Sequence, residues 1–160
     1  MSPQDKTNDA QAGADKASKE LAEDAAKPSE EDDIVEDLEF PLWFAELAPG
    51  GTGEGFLEKG TRHSLMFVRR PVKRLIVTFD NLSNVNNTAT TREPWAYKFA
   101  RDSNVSHLGI MAHAAAWFRD EALIDRMKKL AAEGFFDGYD RVLFTGTSMG
   151  AFGAIVFASL

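Results

Sequence analysis

Residues 141–154 read RVLFTGTSMGAFGA, and three patterns follow one another in this stretch. Residues 142–145 form a short apolar run that favours a β-strand, and the small and apolar residues after Gly150 are typical of a helix. Between them, residues 146–150 match the pattern GxSxG. A strand and a helix that meet in so tight a turn collide two positions before and after its apex unless both positions are glycine. We therefore predict a sharp strand-turn-helix corner with Ser148 at its apex.

A second interpretation of the same glycines is the phosphate-binding turn of a short-chain dehydrogenase, TGxxxGxG. Thr145, Gly146 and Gly150 fit that pattern. Its last glycine should stand at position 152, which is Phe152, and the glycine comes one residue later, at Gly153. A nucleotide-binding dehydrogenase fragment is therefore the weaker alternative.

The composition indicates one globular domain preceded by an acidic leader. The chain has 160 residues, 44% of them hydrophobic and 27% charged. Residues 1–40 hold 13 acidic and 4 basic side chains, whereas the other 120 residues hold 12 and 14, so the formal charge of −7 comes from the leader. Large aliphatic residues are scarce before Ile34, and such a segment cannot offset its ordering entropy by burial. We predict a disordered leader over residues 1–33 and a folded domain over residues 34–160.

Several classes of protein are disfavoured by the same composition. A nearly neutral domain offers no electrostatic reason to bind nucleic acid, and no apolar run is long enough to span a membrane. The absence of cysteine excludes disulfides and thiolate chemistry, and we predict neither a metal site nor a cofactor. The amino-terminal residues lack the pattern of a signal peptide, which makes the cytoplasm the expected compartment.

The rest of the domain reads as alternating strands and helices. Residues 48–60 are rich in glycine and predict a loop. Two β-favouring runs, residues 63–69 and 73–79, are separated by residues 70–72, which predict a turn or a hairpin. Residues 105–112 predict the next strand, and residues 117–132 form the strongest helical pattern in the chain, with Leu123, Met127, Leu130 and Ala131 on one face. This alternation predicts an α/β fold, namely a three-layer αβα arrangement around a mostly parallel central sheet.

At this point the residues resemble the α/β-hydrolase superfamily over about 100 residues, from residue 63 to the end. The stretch RLIVTFDN resembles the third strand and the oxyanion loop of that superfamily, SHLGIMA resembles the fourth strand, and RVLFTGTSMGAFGA resembles the fifth strand and the nucleophile elbow. The resemblance implies a serine hydrolase that acts on a small-molecule ester or related acyl substrate.

The resemblance also implies roles for individual residues. Ser148 would be the catalytic nucleophile, and the backbone amide of Met149 would donate to the oxyanion. A second donor would be the amide of Asn81 or Leu82, although residues 80–83 depart from the HGGG form of the loop. The residues predicted to line the site are Asp80, Gly146, Thr147 and Gly150.

The acid and the base of such a triad follow the serine in the family's chain order, but no Asp, Glu or His follows Gly150. The last residues also lack a helix stop signal. We therefore expect the chain to be the amino-terminal part of an incomplete hydrolase domain, inactive alone and prone to self-association. His107 and His113 flank the fourth strand, which we expect to lie beside the fifth, so that one of them approaches the site. A non-catalytic, hydrolase-like module for binding or secretion is the main alternative.

Overall fold

The computed structural model describes residues 41–47, 51, 53–87, 89 and 92–160. The predicted disordered leader, residues 1–33, lies outside the described residues. The strands are β1 (Glu54–Lys59), β2 (His63–Arg69), β3 (Val72–Phe79), β4 (Val105–Ala112) and β5 (Arg141–Gly146). The helices are α1 (Leu42–Leu47), α2 (Leu82–Val85), α3 (Tyr97–Asp102), α4 (Glu121–Ala132) and α5 (Met149–Phe157).

The five strands form one mixed sheet in the order β1-β2-β4-β3-β5. The β1/β2 and β2/β4 pairs are antiparallel, whereas β3 pairs in parallel with both β4 and β5. The predicted α/β class is therefore confirmed. The expectation of a mostly parallel sheet holds only for β4, β3 and β5, because β1 and β2 add an antiparallel half.

Of the turn or hairpin expected between the second and third strands, the hairpin is wrong. β2 and β3 are separated by only two residues, but β4 lies between them in the sheet. The backbone amide of Arg70 donates to the Ser106 hydroxyl over 2.9 Å, and its guanidinium donates to the Val105 carbonyl over 2.8 Å. The short connection thus crosses the start of β4, and hydrogen bonds to β4 replace those of a hairpin.

Apolar side chains cover both faces of the sheet because successive strand residues point to opposite sides. Leu65 and Phe67 of β2 belong to a large cluster that includes buried residues of α4 and α5. Met66 and Val68, the alternating positions, belong to a smaller cluster with Trp43 of α1 and Tyr97 of α3. Helices therefore pack on both sides of the sheet.

Two other elements differ from their predictions. The strong helical pattern was expected from residue 117, but α4 begins at Glu121, because Trp117 and Phe118 adopt left-handed backbone angles with φ of 54° and 55°. Leu123, Met127 and Leu130 are buried along one face of α4, as its spacing predicts. β1 occupies part of the stretch that was expected to be a loop, and pairs with β2 at the edge of the sheet.

Candidate functional site

The turn between β5 and α5 is held in an unusual backbone conformation at Ser148. Its φ is 53° and its ψ is −123°, a region that side-chain-bearing residues rarely adopt and that costs on the order of 1–3 kcal/mol. Ser148 is exposed, and its hydroxyl makes no hydrogen bond within the described part of the chain. The predicted corner is thus present, with its serine at the apex and its side chain open to solvent.

Two glycines make this turn sterically feasible. A Cβ atom on Gly146 would lie 2.4 Å from the carbonyl carbon of Gly150, and one on Gly150 would lie 2.3 Å from the carbonyl oxygen of Phe79. Both distances are far below any ordinary carbon contact. Gly146 therefore allows the helix to fold back onto β5, and Gly150 allows it to lie against the end of β3.

The amino terminus of α5 presents polar backbone groups beside Ser148. The Gly150 amide donates to the Thr147 carbonyl over 2.9 Å, and the Ala151 amide donates to the Ser148 carbonyl over 3.0 Å. Among the described residues, no acceptor bonds to the Met149 amide. A free amide at the positive end of a helix dipole can stabilise a developing negative charge, and the first turn of α5 contains no acidic residue.

The loop after β3 lies against the same corner. The Asp80 carbonyl oxygen would be 2.9 Å from a Cβ on Gly150, so the start of this loop, at Asp80, lies against the start of α5. The Asn81 amide is already engaged, because it donates to the side-chain oxygen of Asn84 over 3.2 Å in a capping box at the start of α2. The Leu82 amide has no acceptor among the described residues. Of the two predicted second oxyanion donors, Leu82 is therefore the available one.

Asp80 is completely buried, and its carboxylate is occupied by structural contacts. It forms an ion pair with the Arg92 guanidinium, and it accepts hydrogen bonds from the amides of Trp95 over 3.2 Å and Ala112 over 3.0 Å. Its backbone borders the corner, but its side chain ties the end of β3 to the end of β4 and to the loop before α3. A role for Asp80 in lining a substrate site stays a prediction.

His107 lies in the sheet interior, away from solvent. Its Nε2 is 2.7 Å from the Thr78 hydroxyl on the neighbouring strand, and its ring lies against Tyr97. Burial, reinforced by the charge of Arg70, lowers the pKa of His107 to about 3. This imidazole stays neutral at physiological pH and serves packing.

His113 and His63 lie toward the β2 side of the sheet's carboxyl edge. His113 Nε2 is 2.7 Å from the hydroxyl of Ser64, and His63 Nδ1 is 3.5 Å from the Asp120 carboxylate. Partial burial lowers the pKa of both imidazoles. Sequence reasoning missed the Ser64–His113 pair, since its members are 49 positions apart and only the β2/β4 register brings them together.

The chain has three histidines, all within the described residues, and none hydrogen-bonds to Ser148. The expectation that β4 lies beside β5 is wrong, because β3 separates them. His107 and His113 are therefore placed at least one strand farther from Ser148 than the sequence suggested. The structure brings the turn that holds Ser148 and Met149 against the start of the loop at Asp80, but no histidine hydrogen-bonds to Ser148.

Within the described residues there is no group of three or more His, Asp or Glu side chains that could hold a metal ion. The helices in that part of the chain are also too short or too polar to cross a bilayer. Comparison with family models, curated proteins and solved structures gave no match in any of the three.

Proposed function

We propose that this chain carries the nucleophile-bearing part of a serine hydrolase of the α/β-hydrolase type, acting on an ester or related acyl compound. The observation that carries the proposal is the backbone of Ser148, which has a positive φ. The glycines two positions before and after it are both so close to other backbone atoms that neither could carry a Cβ atom. Backbone strain at an exposed serine is typical of a group positioned for chemistry.

The finer fold assignment belongs to the same proposal. The segments that resemble the third, fourth and fifth strands of the superfamily are β3, β4 and β5 in chain order, and all three run parallel. Helices on both faces of the sheet are compatible with a three-layer αβα arrangement. These features support the family assignment, and they leave the cytoplasmic location and the self-association of the chain as predictions.

In the proposed reaction the Ser148 Oγ attacks the carbonyl carbon of the substrate, and the hydroxyl proton passes to a base. The resulting oxyanion accepts hydrogen bonds from the amides of Met149 and Leu82. When the oxyanion collapses, the bond to the alcohol breaks, the alcohol leaves with the proton from the base, and the acyl group stays on the Ser148 Oγ. In this proposal the base is a group other than the three histidines of the chain, because each of them is buried or engaged elsewhere. The chain alone is therefore expected to turn over ester substrates negligibly.

The alternative is a non-catalytic module that uses the hydrolase framework for binding. The same absence of a histidine at Ser148 favours it. The two functions differ in one chemical property, namely whether the Ser148 hydroxyl can be acylated or phosphonylated when a base is provided.

The test supplies that base as free imidazole. The chain is incubated with a fluorophosphonate probe with and without imidazole, and the modified residue is identified by peptide mass spectrometry. We expect imidazole-dependent labelling of Ser148 that is lost in Ser148→Ala and retained in Ser159→Ala. Ser159 is an exposed serine two residues beyond the end of α5. No labelling of Ser148 at any imidazole concentration would overturn the hydrolase proposal in favour of the binding module. A thermal shift caused by NAD(P) would instead favour the dehydrogenase alternative.

A further inference from the structure

A second candidate site lies at the opposite end of β3 and β5 from Ser148. The register pairs Arg74 with Arg141 and Ile76 with Leu143, so these four side chains lie on the same face of the sheet. Phe99 of α3 borders the same groove, which has a volume of about 480 Å³. Ligand sites typically occupy about 300–1,000 Å³, so this groove is large enough for a small molecule.

The floor of this groove is unusually apolar for a solvent-facing surface. Leu143 is 58% exposed and Phe99 is 62% exposed, while Ile76 beneath them is only 6% exposed. Contiguous exposed apolar surface of this kind marks an interaction site more often than a scattered single residue does. The groove therefore offers contact area to an apolar group.

Two guanidinium groups stand at one end of the apolar floor. Arg74 and Arg141 are register partners on adjacent strands, and neither forms an ion pair with any described residue. Lys73 and Asp140 line the adjoining surface, so the four charged side chains described there carry a net positive charge. Like charges placed opposite each other across a strand pair are destabilising, and an anion between them would relieve the repulsion.

We propose that this groove binds an amphipathic anion, a single alkyl chain with a carboxylate head group. The alkyl chain lies along Ile76, Leu143 and Phe99, and the carboxylate accepts hydrogen bonds from the guanidinium groups of Arg74 and Arg141. Planar guanidinium donors match the two oxygens of a carboxylate. The combination of an apolar floor with unpaired cations at one end favours this ligand over a purely polar anion or a purely apolar compound.

This site is separate from the proposed nucleophile. The groove lies where β3 and β5 begin, whereas Ser148 follows the carboxyl end of β5. The inference does not depend on the hydrolase proposal. A substitution at Ser148 is therefore expected to leave ligand binding in the groove unchanged.

The test uses isothermal titration of the chain with dodecanoate below its micellar concentration. Dodecanol, which lacks the charge, and acetate, which lacks the chain, serve as comparison ligands. We expect saturable binding of dodecanoate at one site, with clearly weaker binding of both comparison ligands. Equal binding of dodecanol and dodecanoate, or no saturation, would overturn the proposal.

Substitutions locate the binding. Arg74→Gln and Arg141→Gln remove one exposed cation each, and we expect each to weaken dodecanoate binding up to about fivefold. Lys128→Gln on the exposed face of α4 is the matched control and should change nothing, as should Ser148→Ala. Leu143→Asp should abolish binding, and circular dichroism checks that it folds. If these variants bind as the unsubstituted chain does, the groove is not the site.

A second copy of the chain is the competing occupant of this face. Sedimentation velocity distinguishes it, because a dimer that covers the groove would be dispersed by Leu143→Asp and would not respond to dodecanoate. That result would contradict the proposal, whereas a monomer that binds dodecanoate supports it.

Discussion

Gly150 lies directly against Phe79: a Cβ atom at position 150 would be 2.3 Å from the Phe79 carbonyl oxygen. This contact joins the first turn of α5 to the end of β3, the strand beside β5. The position of Ser148 at the edge of the sheet thus requires a residue without a Cβ atom at position 150.

Gly150→Ala is expected to destabilise the chain by about 1–3 kcal/mol, because the added methyl group forces α5 away from β3. Gly138→Ala is the matched control, since a Cβ there meets nothing within 4 Å, and its effect should stay within about 0.5 kcal/mol. Urea denaturation followed by circular dichroism measures both. Equal stabilities of the two variants would contradict the close packing of α5 on β3.

Ser148→Gly is expected to stabilise the chain by about 1 kcal/mol, because glycine adopts the positive φ of this position without strain. Ser148→Ala keeps the strain and loses no hydrogen bond to a described residue, so its stability should match that of the unsubstituted chain. Thermal and urea unfolding of the two variants gives the comparison. A glycine variant less stable than the alanine variant would show that the turn is not strained.

Asp80→Asn is expected to cost about 3–5 kcal/mol, because it leaves the Arg92 guanidinium buried without its counter-ion. Asp102→Asn removes a carboxylate from an exposed ion pair with Arg101 and should cost less than about 1 kcal/mol. Both values come from denaturant unfolding at neutral pH. If the two substitutions cost the same, the Asp80 carboxylate is not the structural tie between β3 and β4.

Because His107 is buried in its neutral form, we expect the folded chain to lose stability in weak acid. Its pKa is about 3 in the folded chain and about 6.5 in the unfolded chain, so between these values only the unfolded chain binds the proton. The free energy of unfolding therefore keeps its full value above pH 6.5 and declines as the pH falls toward 3. The decline due to His107 is up to about 2 kcal/mol between pH 7 and 5.

His107→Gln should flatten this pH dependence, whereas His113→Gln, at a more exposed position, should change it less. Unfolding curves collected between pH 5 and 7 test the comparison. An unchanged slope in His107→Gln would show that His107 does not titrate as described.

The corner around Ser148 could be predicted because its signal in the sequence is local. Gly146 and Gly150 stand two residues from the apex, and the collisions they avoid involve the turn itself and the strand beside it. The apolar face of α4 was predictable for a similar reason, since residues three and four positions apart share a face of a helix.

The order of the strands could not be predicted in the same way, because it depends on residues far apart in the chain. β4 lies between β2 and β3, and Arg70 donates hydrogen bonds to its first two residues, Val105 and Ser106, which are 35 and 36 positions later in the chain. β1 was missed because a six-residue edge strand with a glycine and three charged residues carries little strand signal. The ion pair between Asp80 and Arg92 is not signalled by any local sequence pattern either.

If Ser148 is a nucleophile that lacks only a base, its hydroxyl should accept an acyl group when a base is supplied. The chain is exposed to p-nitrophenyl acetate in the presence of imidazole, quenched in acid and mapped by peptide mass spectrometry. We predict acetylation of Ser148 faster than that of Ser159 and of the other exposed serines. Acetylation of Ser148 no faster than that of Ser159 would contradict the account.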